Sequence, residues 1–218
     1  MTAAHLARCD RLLPRSASGR SVPWSDFCSP DGPWLTGCVD EWQARGGFTH
    51  HRAAVVLVAF RAGWLACCAT IPEVHFGLPV PDLATASAVL GPDGGLAGLS
   101  TRRSHPLDAR GWWHGVEAFF APLARSLTAM GARDAELWGN PVGLIGAVAR
   151  RMADGGLPGD LLATASALRD ATGRPGLLTL AGTADDWRAR RRTCCQWWRA
   201  GGGYCAECVL HDSPARAR

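Results

Sequence analysis

"AAVVLVAFRAGWLACCATI", residues 53–71, is apolar throughout except for Arg61 near its middle. The run "VVLV" favours a strand, whereas an apolar length of about twenty residues favours a helix, and length decides for a helix over 50–70. Arg61 divides the run into pieces of eight and ten residues. Each is too short to cross a bilayer, and a mid-span Arg costs about 2.5–3.5 kcal/mol on insertion scales. The stretch therefore reads as the buried helix of a folded core. Transmembrane anchoring is not expected, which leaves peripheral contact with a membrane as the remaining lipid association.

The same period recurs downstream. From Trp112, the residues Trp113, Val116, Phe119, Phe120, Leu123, Leu127 and Met130 return at spacings of three and four, the pattern of a helix with one buried face. In "ELWGNPVGLIGAVARRM", Asn140 reads as a cap and Pro141 as the first helical residue, predicting a helix from there to about Met152. Gly143, Gly146, Ala147 and Ala149 give it a surface of small residues against which another backbone can pack. Asp160 is placed to cap a further helix through about Ala171, ahead of Pro175. Thr183, three before Asp186, reads as a capping box opening a short helix "ADDWRARRR" that points at Cys194. Strands are expected within "GGLAGLST", between about 75 and 110, and at "LLTL", residues 177–180. Residues 1–34, rich in Pro, Ser and Gly, read as irregular, with a short helix around 38–45. The expectation is a mainly α, α+β fold: 35–187 mostly helical, 188–210 a cysteine-rich tail, 211–218 a flexible terminus.

Composition narrows the function. A chain of 218 residues with 47% hydrophobic residues can bury one core. All 23 basic residues are Arg, and the abundance of Ala, Gly and Pro beside them is the imprint of a GC-rich bacterial genome. A net charge of +4, with arginines scattered except in "DDWRARRRTCC", lacks the basic footprint of a nucleic-acid binder. The first thirty residues carry no signal-peptide pattern, so the cytoplasm is the expected compartment. Nine cysteines in a reducing compartment point to metal or redox chemistry rather than a disulfide scaffold. Cys9, Cys28, Cys38, Cys67 and Cys68 have irregular spacing and read as packing residues.

The other four cysteines lie in "TCCQWWRAGGGYCAECVL", residues 193–210. Four thiolates can hold zinc, hold an iron–sulfur cluster or form redox disulfides. Cys205 and Cys208 form a C-x-x-C turn that brings two sulfurs to one metal. Cys194 and Cys195 are adjacent, which is unusual for structural zinc and needs an extended or kinked backbone, because neighbouring side chains diverge. A thioredoxin-like site would need a βαβ unit that cannot start so near the C-terminus, and a Rieske centre would need two histidines where only His211 is near. His50, His51, His105 and His114 have no ligand-like spacing. No phosphate-binding or dinucleotide glycine motif and no nucleophile elbow is present.

"LWGNPVGLIGAVARRM" together with "RRTCC…GGGYCAEC" resembles the ferric siderophore reductase family, the FhuF-like ferric iron reductases. The resemblance spans about residues 35–210 and is specific at 136–152 and 188–210. It implies that Cys194, Cys195, Cys205 and Cys208 hold one [2Fe–2S] cluster. The nine residues between the two cysteine pairs make a loop one shorter than the family's usual pattern. It further implies transfer of one electron to a ferric siderophore to release Fe(II), with electrons from a partner such as a ferredoxin or its reductase. Arg191, Arg192 and Arg199, with Arg188 and Arg190 near them, are candidates for tuning the cluster or attracting an anionic substrate. Trp197 and Trp198 are expected to shield the cluster or pack on the core. The rival readings are a zinc-stapled binding module without redox activity and a cluster-based iron or redox sensor.

Overall fold

The computed structural model describes residues 9, 13, 18–48, 50–200, 203, 204 and 208–212. Six α-helices form the bulk of the regular structure among the described residues: α1 Trp24–Phe27, α2 Pro33–Gly46, α3 His51–His75, α4 Ala109–Ala129, α5 Asp134–Asp154 and α6 Leu161–Ala171. Two small antiparallel sheets complete a mainly α, α+β architecture. The first has the order β1 (Arg20–Pro23), β2 (Pro81–Leu90), β3 (Leu96–Arg103), and the second pairs β4 (Leu178–Gly182) with β5 (Trp187–Arg191). The segment expected to be irregular before residue 34 thus contributes an edge strand, with Arg20 opposite Leu90 and Pro23 opposite Ser87. Pro23 fits there because an edge strand tolerates a missing donor.

The central helix is α3, packed on α5 and flanked by α2 and α4. By length and composition it could cross a membrane, yet 78% of its most apolar window is buried by the rest of the fold. Arg61 is accommodated by donating from Nε to Leu96 O at 3.0 Å and from Nη2 to Ala97 O at 2.7 Å. The indole of Trp112 donates to Thr70 Oγ1 at 2.8 Å, and that of Trp24 to Phe119 O at 2.7 Å. The large buried rings therefore carry no orphan donors at these points. Cys9, Cys28, Cys38, Cys67 and Cys68 are buried among these elements, as packing residues should be.

Two expectations fail informatively. Asn140 does not start a helix: α5 begins six residues earlier at Asp134, where the Glu136 carboxylate accepts from the Arg133 N–H at 3.2 Å. Acidic residues in a first turn suit the positive end of the helix dipole. Pro141 lies inside α5, and the buried Asn140 spends its side chain on other elements. The stretch expected as the helix "ADDWRARRR" is instead the return strand of a hairpin, with Leu178 opposite Arg191 and Gly182 opposite Trp187. Its burial alternates, with Trp187 and Arg191 inside and Arg188 and Arg190 outside. That is a strand period disguised by an arginine on the inner face.

Candidate metal centre

The small-residue face of α5 is the seat of that hairpin. A Cβ at Gly146 would stand 2.5 Å from the Ala189 Cβ and 3.1 Å from a Leu178 methyl. One at Gly143 would meet the Arg191 side chain at 2.7–3.0 Å, and one at Gly139 would overlap Thr193. The glycines of "WGNPVGLIG" therefore exist to let β4, β5 and the chain leading into the cysteines lie directly on the helix.

Arg191 locks the seat. It is 2% exposed, and its Nη2 donates to Gly139 O at 3.2 Å and to Asn140 Oδ1 at 2.5 Å. Asn140 Nδ2 donates in turn to Val56 O at 3.3 Å, so one polar chain ties β5 to α5 and α3. Glu136 makes a second tie. Its carboxylate takes Arg52 Nε at 3.0 Å and Nη2 at 2.5 Å, and accepts from Gln196 Nε2 at 3.2 Å. Both anchors lie in the 136–152 segment, which explains why that segment and the tail belong together in one motif.

Gln196, directly after the adjacent cysteines, has a φ of 65°, rare for a residue other than glycine. Its N–H points back at Cys194 Sγ, 3.3 Å away. Leu210 N–H is directed likewise at Cys208 Sγ, 3.4 Å away. Burial holds the Cys194 thiol above its ordinary range and the Gln196 N–H lowers it. The neighbouring thiols of Cys195 and Cys208 raise it again, and a hydrogen bond from the Trp198 side chain lowers it. Cys195 and Cys208 are 3% and 4% exposed. The Cys194 thiol thus senses those of Cys195 and Cys208, which lie on either side of the glycine loop in the sequence. Cys205 lies outside the described residues. Among the described residues no group of three or more His, Cys, Asp or Glu side chains is arranged to hold a metal ion, and none of the eight described cysteines forms a disulfide.

The chemistry of the individual donors, sulfur with backbone and indole N–H groups aimed at it, is of the kind that soft, thiolate-bound metals use, but the described side chains alone do not assemble such a site. The arginines are placed differently from one another. Arg191 faces inward to α5, whereas Arg192 and Arg199 are exposed, the latter with its guanidinium 4.7 Å from the Trp198 ring centre. Trp197 and Trp198 are each 38% exposed. Trp197 meets Trp42 of α2 edge-on at 6.5 Å, and Trp198 hydrogen-bonds to Cys194. The residues that sequence reasoning missed are Glu136, Asn140 and Gln196. Only the position of Gln196, directly after two cysteines, offered a signal. Compared with the models of known protein families and with the curated proteins, the chain matches none.

Proposed function

We propose that this chain is an iron–sulfur siderophore-iron reductase, a member in kind of the FhuF-like group that its two motifs resemble. The observation that carries the reading is the pairing of Cys194–Cys195 with Cys205–Cys208 in the tail, together with N–H donors on Cys194 and Cys208. These four thiols would hold a [2Fe–2S] cluster, which when bound supplies a one-electron couple. The protein's own work is to keep the sulfurs dry and to favour charge on them. Burial of Cys195 and Cys208 does the first, and the Gln196, Leu210 and Trp198 donors do the second.

The substrate is the iron of a ferric siderophore. One electron converts Fe(III) to Fe(II), a softer and less charged ion that anionic oxygen donors hold far more weakly. No bond of the organic ligand need break. The electron comes from a partner of the ferredoxin or ferredoxin-reductase class, in keeping with the lack of a nucleotide fingerprint in the sequence.

The test is iron, zinc and acid-labile sulfide content of protein purified without oxygen. About two irons and two sulfides per chain are expected, falling sharply in Cys205→Ser. Reduced protein should then be reoxidised on adding a ferric siderophore. Zinc without sulfide would convert the reading into a stapled binding module, and iron and sulfide without reoxidation into a sensor.

A further inference from the structure

Arg191 also lines a cleft of about 250 Å³ between α3, α5 and β5. Phe60 and Trp64, one turn apart on α3, lie with ring planes 10° apart and centroids 6.5 Å apart, and Leu144 adds to the apolar wall. Three guanidinium groups complete the lining: Arg150 and Arg151 from α5 and Arg191 from β5. Arg191 stands 5.5 Å from the Phe60 ring centre and Arg151 5.9 Å from that of Trp64.

The charges do not balance. Arg150 is committed, donating to Trp187 O at 3.1 Å and pairing with Asp154 at the rim. Among the described residues Arg191 is bonded only to a carbonyl and an amide, both neutral, and its buried Nε–H has no acceptor. Among the described residues no carboxylate pairs with it. A guanidinium stays charged at every accessible pH, and a buried one without a counter-charge carries a large desolvation penalty. Three arginines against Asp154 leave the cleft cationic, beside an aromatic wall.

We propose that this cleft binds a planar aromatic anion of the dihydroxybenzoate type. Its ring would lie along Phe60 and Trp64, and its catecholate or carboxylate oxygens would meet the exposed Arg151, in the field of the buried Arg191. The volume suits one substituted ring rather than a whole chelate. Resting on the reductase reading, the ring is one arm of a ferric catecholate siderophore. Arg191, which lines the cleft, stands three residues before Cys194 in the chain.

Quenching of tryptophan fluorescence and calorimetry with 2,3-dihydroxybenzoate alone test the cleft directly. Binding is expected, weakened roughly tenfold or more in Arg151→Ala and in Trp64→Leu, since each removes a charge-assisted or stacking contact. Arg151 is exposed and Trp64 half-buried, so both variants should fold, which circular dichroism checks. No binding at millimolar acid, equal binding by the double variant, or equally effective competition by inorganic phosphate would each overturn the proposal. A ferric tris-catecholate complex forms the second arm. Its affinity should drop in the same variants, while a ferric hydroxamate complex should be indifferent to them; the reverse pattern removes the siderophore-arm assignment. If the acid binds as expected but the protein lacks iron and sulfide, the reductase reading fails and the cleft stands.

Discussion

At Cys194 the local chemistry is a contest between burial, which disfavours a thiolate, and N–H donors, which favour it. Trp198 is one of those donors although its ring is substantially exposed. Trp198→Phe keeps an aromatic ring and removes the donor. In metal-free protein this should raise the Cys194 thiol further above its ordinary range and slow its alkylation by iodoacetamide at neutral pH by roughly two- to tenfold. Peptide mapping of the alkylated site reads the rate, and an unchanged rate would show that the indole N–H does not matter.

At the level of elements, the decisive contact is a hairpin lying on a helix face stripped of side chains. Gly→Ala inside a helix ordinarily stabilises by about 0.5–1 kcal/mol, because glycine loses more backbone freedom on folding. Gly37 in α2, with nothing near its missing Cβ, should behave that way. Gly146→Ala should do the opposite. Its new methyl meets the Ala189 Cβ, which is fixed to a strand and cannot rotate aside, and overpacking of this kind costs about 1–3 kcal/mol. Urea denaturation of the two variants should give shifts of opposite sign, and a stabilised Gly146→Ala would show that the hairpin is not seated as described. Asn140→Ala should cost about 1–3 kcal/mol, since it leaves Val56 O and the Arg191 guanidinium short of a partner in the interior.

Across the whole molecule, the buried thiols set an alkaline limit to stability. Burial is the main cause in each case, pushing Cys28 and Cys67 up to about 12 and Cys38 up to about 11, from an ordinary 9.0. Above pH 9 the unfolded chain releases these protons while the folded chain keeps them, so stability falls as pH rises. The contribution is fully present below pH 9 and is lost on approaching 11–12. With no Lys and a single Tyr in the chain, few other side chains titrate in that window. Thermal unfolding followed from pH 8 to 11 should show Tm steady to about 9 and then declining, less steeply in Cys67→Ala; a level Tm to pH 11 would refute this account.

What the sequence by itself determined is whatever rests on local period and on side-chain chemistry. The apolar length of 53–71, the amphipathic spacing after Trp112, the Asp160 cap, which accepts from Ala163 N–H at 2.8 Å, and the strands at 96–103 and 178–182 all follow from neighbours along the chain. So do the clustering of thiols in the tail and the burial of the other five cysteines. What only the tertiary structure decided is where long-range partners override local preference. Asn140 and Pro141 carry the letters of a helix start, yet Asn140 finds better partners in Val56 and Arg191, and α5 runs through them. Residues 187–191 look like a charged helix until Leu178–Gly182 offers a ladder and Gly139, Gly143 and Gly146 offer a floor. An arginine can occupy the inside of that strand only because Gly139, Asn140 and the Phe60 ring surround its guanidinium, and contacts across such sequence distances leave no mark in the spacing of any one segment.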